Sequence, residues 1–171
     1  AVIFYHKTIS NIYKKEWIDR CVSSIEKQTY KLYDSWELNY GDEPISLTEI
    51  LERPIELPNL NIIHQPLANH VEAMNYLLNL LFNEKKYDVV FNTNLDDTYH
   101  HHRFLHQLEL VRAGYDLVSS NFFHIKEING DYRIVHTLNF ANVDIKIELL
   151  HNNHNVCCHP VICYTREFWE K

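Results

Sequence analysis

Glycine is nearly missing from this sequence. The 171-residue chain contains 3, and none opens a Gly-rich loop of the kind that wraps a phosphate. The segment His6-Lys7-Thr8-Ile9-Ser10 follows the first apolar residues and is not a Gly-rich basic loop, which ranks a nucleotidyltransferase last. Blocks of Lys or Arg are also missing, and the formal net charge is -7. That argues against a nucleic-acid backbone as the main partner, though not against a nucleotide held through a metal. No apolar run is long enough to span a bilayer, and no signal peptide opens the chain. The 4 cysteines, Cys21, Cys157, Cys158 and Cys163, contain no Cys-x-x-Cys pair. The last three bunch inside a strand-like run, which fits reduced core thiols in a cytoplasmic protein better than a disulfide framework. No serine sits in a sharp Gly-flanked turn, so a nucleophilic triad has no support. The first residue is Ala rather than Met, which reads as a processed or trimmed chain.

What is present is a globular composition, with 46% hydrophobic and 13% aromatic residues, enough for one domain with a real core over residues 1–171. No internal repeat or low-complexity segment divides it. The organising stretch is Tyr87-Asp88-Val89-Val90-Phe91-Asn92-Thr93-Asn94-Leu95-Asp96-Asp97. Its apolar beginning suits a strand buried on both faces, and its end turns abruptly to amides and carboxylates. In an open α/β sheet, ligands bind beyond the carboxyl ends of the strands, where Asn94, Asp96 and Asp97 would fall. Hard oxygen ligands there suit Mg²⁺ or Mn²⁺ bridging to a phosphate. The alternative is a polar turn in which Asp97 caps the next helix.

Along the chain, residues 1–5 read as a first strand, and Ser10 or Asn11 as the cap of a helix over 12–28. Residues 34–40 alternate as a second strand, stopped by Gly41-Asp42-Glu43-Pro44; residues 46–51 suit a short helix and 60–64 a third strand. Asn69 caps the next helix, with Glu72 placed for a capping box. Val71, Met74, Leu78, Leu81 and Phe82 would form its buried face, with Asn75 on that face as a structural bridge or a ligand contact. After a His100-His101-His102 run, read as a solvated helix start, Phe104, Leu105, Leu108 and Val111 mark a helix stopped by Gly114. Residues 116–121 read as a strand, and Asn129-Gly130 as the turn of a β-hairpin between 122–127 and 132–136. Residues 142–150 suit helix or strand equally, 156–164 a strand, and Arg166 to Trp169 the start of a helix.

This order of elements resembles the GT-A glycosyltransferases, in particular the family 2-like group, over nearly the whole chain. The resemblance rests on Val2-Ile3-Phe4-Tyr5-His6 and on Ser24-Ile25-Glu26-Lys27-Gln28-Thr29-Tyr30, its most specific match. Ala73-Met74-Asn75 stands where the family has Ala-Arg-Asn, and Asn94-Leu95-Asp96-Asp97 stands at its Asp-x-Asp-Asp motif. Gly114-Tyr115-Asp116-Leu117-Val118-Ser119-Ser120 and Cys158-His159-Pro160-Val161 also match family segments. Departures are Asn94 for the first acid, Met74 for Arg, and Leu38-Asn39-Tyr40-Gly41-Asp42 where two acids usually precede the Gly.

The resemblance implies a mixed, mainly parallel, Rossmann-like sheet flanked by helices, with a late hairpin. It implies transfer of a sugar from a nucleotide-diphosphate sugar, UDP-sugar first, to a hydroxyl acceptor, carbohydrate or other. The transfer would be inverting and would depend on Mn²⁺ or Mg²⁺ at Asp96, with Asn94 beside it. Tyr5, His6, Asn39, Asp42, Asn75 and Asn94 are the expected donor contacts; for Asn39 and Asp42 the alternative is a tight turn. The family's catalytic base lies in a segment expected beyond Lys171, which makes this chain the nucleotide-binding part of a longer protein or C-terminally incomplete; His159 is the fallback base. A structural zinc at His151, His154, Cys157, Cys158 and His159 is disfavoured, because adjacent cysteines on a strand point to opposite faces. The rival function is an inactive nucleotide-sugar-binding or scaffold module of the same fold, favoured by Asn94, Met74 and the missing base.

Overall fold

The computed structural model describes residues 1–7, 13–129, 131–138 and 159–171. Four strands, β1 (Val2–His6), β2 (Ser35–Asn39), β3 (Leu60–His64) and β4 (Val89–Asn92), pair in parallel in the order β3-β2-β1-β4. Beyond β4 the sheet turns antiparallel through β8 (Cys163–Thr165) to β5 (Leu117–Val118). A separate two-stranded hairpin joins β6 (Phe122–Ile128) to β7 (Asp131–Leu138). This is the GT-A-like mixed sheet and late hairpin that the resemblance implied.

The strands alternate between two apolar layers. Val2, Phe4, Phe91 and Cys163 face helices α1 (Lys15–Glu26), α2 (Leu47–Leu51) and α4 (Arg103–Arg112). Ile3, Trp36, Leu38, Val90 and Tyr164 face α3 (His70–Asn79), which runs on into a wider π-helical turn at Leu80–Glu84, and the short α5 (Arg166–Trp169). Each fully buried branched or aromatic side chain contributes about 1.5–3 kcal/mol relative to exposure, so these layers hold the fold. Phe104 of α4 sits at one centre of them, stacked on Phe91 with centroids 4.3 Å apart and edge-on to Tyr33 at 5.2 Å.

Local signals place most element ends. Ser46 and Glu49 close a capping box on α2. The Asn69 carboxamide accepts from the N–H groups of Val71 and Glu72, while Glu72 reaches back to the N–H of Ala68 rather than that of Asn69. Gly114, at φ 98°, ends α4: its N–H bonds the Val111 carbonyl and the Tyr115 N–H bonds that of Leu110, the paired bonds of a Schellman stop. Asn129 takes φ 53° in the hairpin turn.

Several expectations are corrected. The first helix begins at Lys15, capped by Lys14 without a side-chain bond; residues 10–12 lie outside the described chain. β2 does not alternate: all of Ser35–Asn39 is buried, since the strand lies inside the sheet between β1 and β3 with helices on both faces. On α3 and the turn after it the expected stripe holds at Leu78, Leu81 and Phe82, with Met74 partly buried against them, but the buried face also takes in Ala73 and Leu77, leaving Val71 48% exposed and Asn75 exposed. The strand expected over 116–121 shortens to Leu117–Val118, and the described part of that over 156–164 is a 3₁₀ turn at His159–Val161 followed by β8 from Cys163. Residues 139–158, with the ambiguous 142–150 segment and Cys157 and Cys158, lie outside the described chain.

Candidate functional site

The chain lays β2 and β3 on one side of β1, then returns to place β4 on the other. The crevice beyond the carboxyl ends of β1 and β4 is therefore the topological switch point of the sheet, the position where open α/β sheets bind ligands. Tyr5 and His6 end one strand, and Thr93 to Tyr99 leave the other.

The acidic loop is fastened along its first residues. Thr93 Oγ1 donates to the Ile3 carbonyl at 2.6 Å, tying the loop to β1. The Asn94 N–H donates to the Tyr99 hydroxyl at 2.7 Å, and the Asn94 carbonyl accepts from Tyr99 Oη at 3.3 Å and from Cys21 Sγ at 3.2 Å. Tyr5 Oη donates to Asn94 Oδ1 at 3.4 Å. Beneath lies Arg103, 5% exposed, its Nη2 donating to the carbonyls of Asn92 (2.8 Å) and Ile162 (3.2 Å), its Nε to Gln107 Oε1 (3.1 Å). Its guanidinium carbon stands 4.6 Å from the Tyr99 ring centre, close enough for cation–π attraction. Gln28 joins the scaffold: its Nε2 donates to the His100 carbonyl and its Oε1 accepts from the Phe104 N–H, locking the end of α1 to the start of α4.

Two carboxylates follow this anchored segment. Asp96 is exposed and Asp97 half-buried. Burial, then the neighbouring Asp96 charge, pushes the Asp97 carboxyl up to about 6, opposed by Arg103 and His124. Asp97 does not cap α4, whose N-terminal flanking residue is His102, five positions on. Among the described residues no group of three His, Cys, Asp or Glu side chains converges to hold a metal alone. Asp96 and Asn94 offer oxygen donors in the same loop, a set that would suit an Mg²⁺-like ion only with substrate phosphate and water completing its shell.

The loop separates two surfaces. Toward β1 and β2 stand Tyr5, Tyr13 and Tyr40; burial first, then Asp96, raises the Tyr13 phenol above its ordinary range. Toward the hairpin opens a cleft of about 680 Å³, walled by Trp17 and Arg20 of α1, the acidic loop, α4 and β6. Arg20 crosses to the hairpin, its Nη2 donating to Tyr132 Oη at 3.3 Å and its guanidinium lying 4.6 Å from that ring centre.

The expected contacts divide. Tyr5, Asn94 and Asp96 gather at the switch point. His6 is buried instead, its Nε2 3.0 Å from Glu37 Oε1, which also accepts the Leu47 N–H at the start of α2. Asn39 is committed to a turn: its Nδ2 donates to the carbonyls of Glu43 (2.6 Å) and Ile45 (2.7 Å), and its Oδ1 accepts from Gly41 N–H (2.8 Å). Asp42 is exposed at that turn, and Asn75 is exposed on α3. The backbone of His159 lies in the 3₁₀ turn before β8. Tyr13, Tyr40, Tyr99 and Arg103 were missed, because a tyrosine or arginine outside a motif carries no local sign of what it touches. For Arg103 the only available hint was its position opening α4 beside the apolar Phe104.

No family model matches the chain, and no curated protein matches it. Among solved structures, the crystal structure of S. aureus TarS 1-349 superposes with a TM-score of 0.59 at 16% identity, covering 99% of this chain. The chain spans 48% of the length of that one. The likeness shows a glycosyltransferase-like fold of the GT-A type.

Proposed function

We propose that this chain binds a nucleotide-diphosphate sugar, UDP-sugar first, and serves transfer of the sugar to a hydroxyl acceptor. The observation that carries the reading is the anchored Asn94–Asp97 loop at the switch point of a fold shared with TarS, a GT-A-type glycosyltransferase. Asp96, with Asn94 beside it, would hold Mn²⁺ or Mg²⁺, which when bound neutralises charge growing on the leaving diphosphate. The chain's own residues do the positioning. Thr93, Tyr99 and Arg103 fix the loop before any ligand arrives, so little reorganisation accompanies binding. Tyr5, Tyr13 and Tyr40 offer ring faces and hydroxyls to the base and ribose, with Asp42 at the rim. Inversion at the sugar carbon requires a base near the acceptor hydroxyl. Within residues 1–171 His159, in the 3₁₀ turn before β8, is the candidate for that base. The buried free thiols Cys21 and Cys163 accord with a cytoplasmic setting, and no helix among the described residues is long and apolar enough to cross a membrane.

Calorimetry with UDP and Mn²⁺ tests this reading. Asp96→Ala should abolish metal-dependent binding while leaving the melting temperature unchanged, because an exposed carboxylate does not support the core. Asn94→Asp should tighten binding of the metal. Unchanged affinity in Asp96→Ala would sink the assignment. The rival reading, a donor-binding module without activity, draws on one specific feature: Asn94 Oδ1 is already engaged by Tyr5 rather than turned wholly to a ligand. Turnover assays with UDP-sugar, Mn²⁺ and a hydroxyl acceptor separate the two: sugar transfer excludes the inactive module.

A further inference from the structure

The cleft on the hairpin side of the loop is lined by an unusual set of charges for a chain of net charge -7. Arg20 and Arg103 both line it, and His100, His106 and His124 add imidazole donors. The acids facing them are Asp96, proposed above for the metal, and Asp97. Arg103 has no carboxylate partner among the described residues: its bonds go to the carbonyls of Asn92 and Ile162 and to the Gln107 amide oxygen. Its Nη1 is buried with no hydrogen-bond partner. Asp97 acts on this guanidinium through its field but forms no ion pair with it, and a buried cation so incompletely countered favours a further anion. Arg20 is held by the Tyr132 ring and hydroxyl and by its own Nε, which donates to the Glu16 carbonyl at 3.2 Å; its Nη1 makes no hydrogen bond among the described residues. Trp17, Phe123 and the half-exposed Tyr132 give the same cleft aromatic faces, on which a sugar ring packs.

We infer that this cleft is a subsite for an anionic saccharide, a sugar unit bearing a phosphate or carboxylate whose charge is read by Arg20 over the field of Arg103. The identity of the ligand as a sugar rests on the glycosyl-transfer reading; the preference for negative charge rests on the arginines alone. The charged sugar has two sources, the acceptor or the sugar of the donor. Paired titrations in Mg²⁺ buffer, followed by calorimetry and NMR shifts, separate them: glucose against glucose 6-phosphate, and UDP-glucose against UDP-glucuronate. In at least one pair the charged member should bind about tenfold tighter, the scale of one charge-assisted hydrogen bond. Arg20→Gln should remove that preference, Arg20→Lys should retain most of it, and UDP affinity should be equal in all three proteins. A preference within the first pair marks the acceptor as the source, and one within the second marks the donor sugar. Equal affinity within both pairs, or a preference that survives Arg20→Gln, overturns the inference. Failure of UDP to bind the wild type would end the glycosyl-transfer reading while leaving the glucose 6-phosphate result to judge the subsite.

Discussion

Strand β2 and the β6–β7 hairpin are both short β structures, yet opposite forces hold them. Every residue of β2 is buried, including Ser35, Glu37 and Asn39. On the hairpin, Phe123, Ile125 and Ile134 are 62%, 54% and 61% exposed. Burial between helices imposes the first; a local Asn129 turn and cross-strand pairs such as Ile125 with Ile134 shape the second. A two-stranded ribbon is marginal by itself, so contacts such as Arg20 with Tyr132 matter beyond their size. The lesson is a division of labour: a rigid sheet presents the acidic loop, and a lightly held hairpin shapes the cleft beside it.

The comparison breaks most sharply in the core. Phe104→Ala removes a ring packed on Phe91 and Tyr33 and should cost about 3–5 kcal/mol in denaturant unfolding. A smaller loss is expected where the sheet meets the loop. Tyr99→Phe strands the Asn94 N–H and should cost about 1–3 kcal/mol, and metal-dependent UDP binding should weaken with it. Calorimetry and thermal melts on one preparation read both effects.

Asp97 sharpens the comparison through pH. Its folded-state pKa lies above its ordinary value, at about 6 against 3.8. The folded state thus holds the proton more tightly, and stability falls as pH rises from about 4 to about 6. Asp97→Asn should therefore be the more stable protein at pH 7 in metal-free buffer, by about 1–2 kcal/mol after solvent screening. Melts at pH 4 and pH 7 check this: the advantage should vanish at the lower pH. The smallest effect belongs to the hairpin. Ile134→Ala should change stability by no more than about 0.5 kcal/mol, and a loss approaching that of Phe104→Ala would show the hairpin to be core after all.

Short-range features were legible in the sequence. The Val89–Asn92 strand, the Asn69 cap, the Gly114 stop and the Asn129 turn each depend on a few neighbouring residues. Asn75 was misplaced because helical periodicity defines an apolar stripe only to within about one position, and the sheet selected Ala73, Leu77 and Leu78. His6 and Asn39 were expected at a ligand because polar residues at strand ends are ambiguous. Structure resolves them as a buried pair with Glu37 and a turn brace.

The sequence by itself determined which segments become strands and helices, and that two carboxylates close the strand that begins at Val89. Backbone propensity, capping and alternation act over a few residues, so no partner is needed to read them. Tertiary structure alone decided what surrounds those carboxylates. Once β4 pairs with β1 on one side and β8 on the other, Tyr5 meets Asn94, and Arg103 meets the carbonyls of Asn92 and Ile162. Arg20 and Tyr132, 112 residues apart, meet across the cleft in the same way. Such contacts depend on strand order and helix packing over long separations, and no local pattern encodes them.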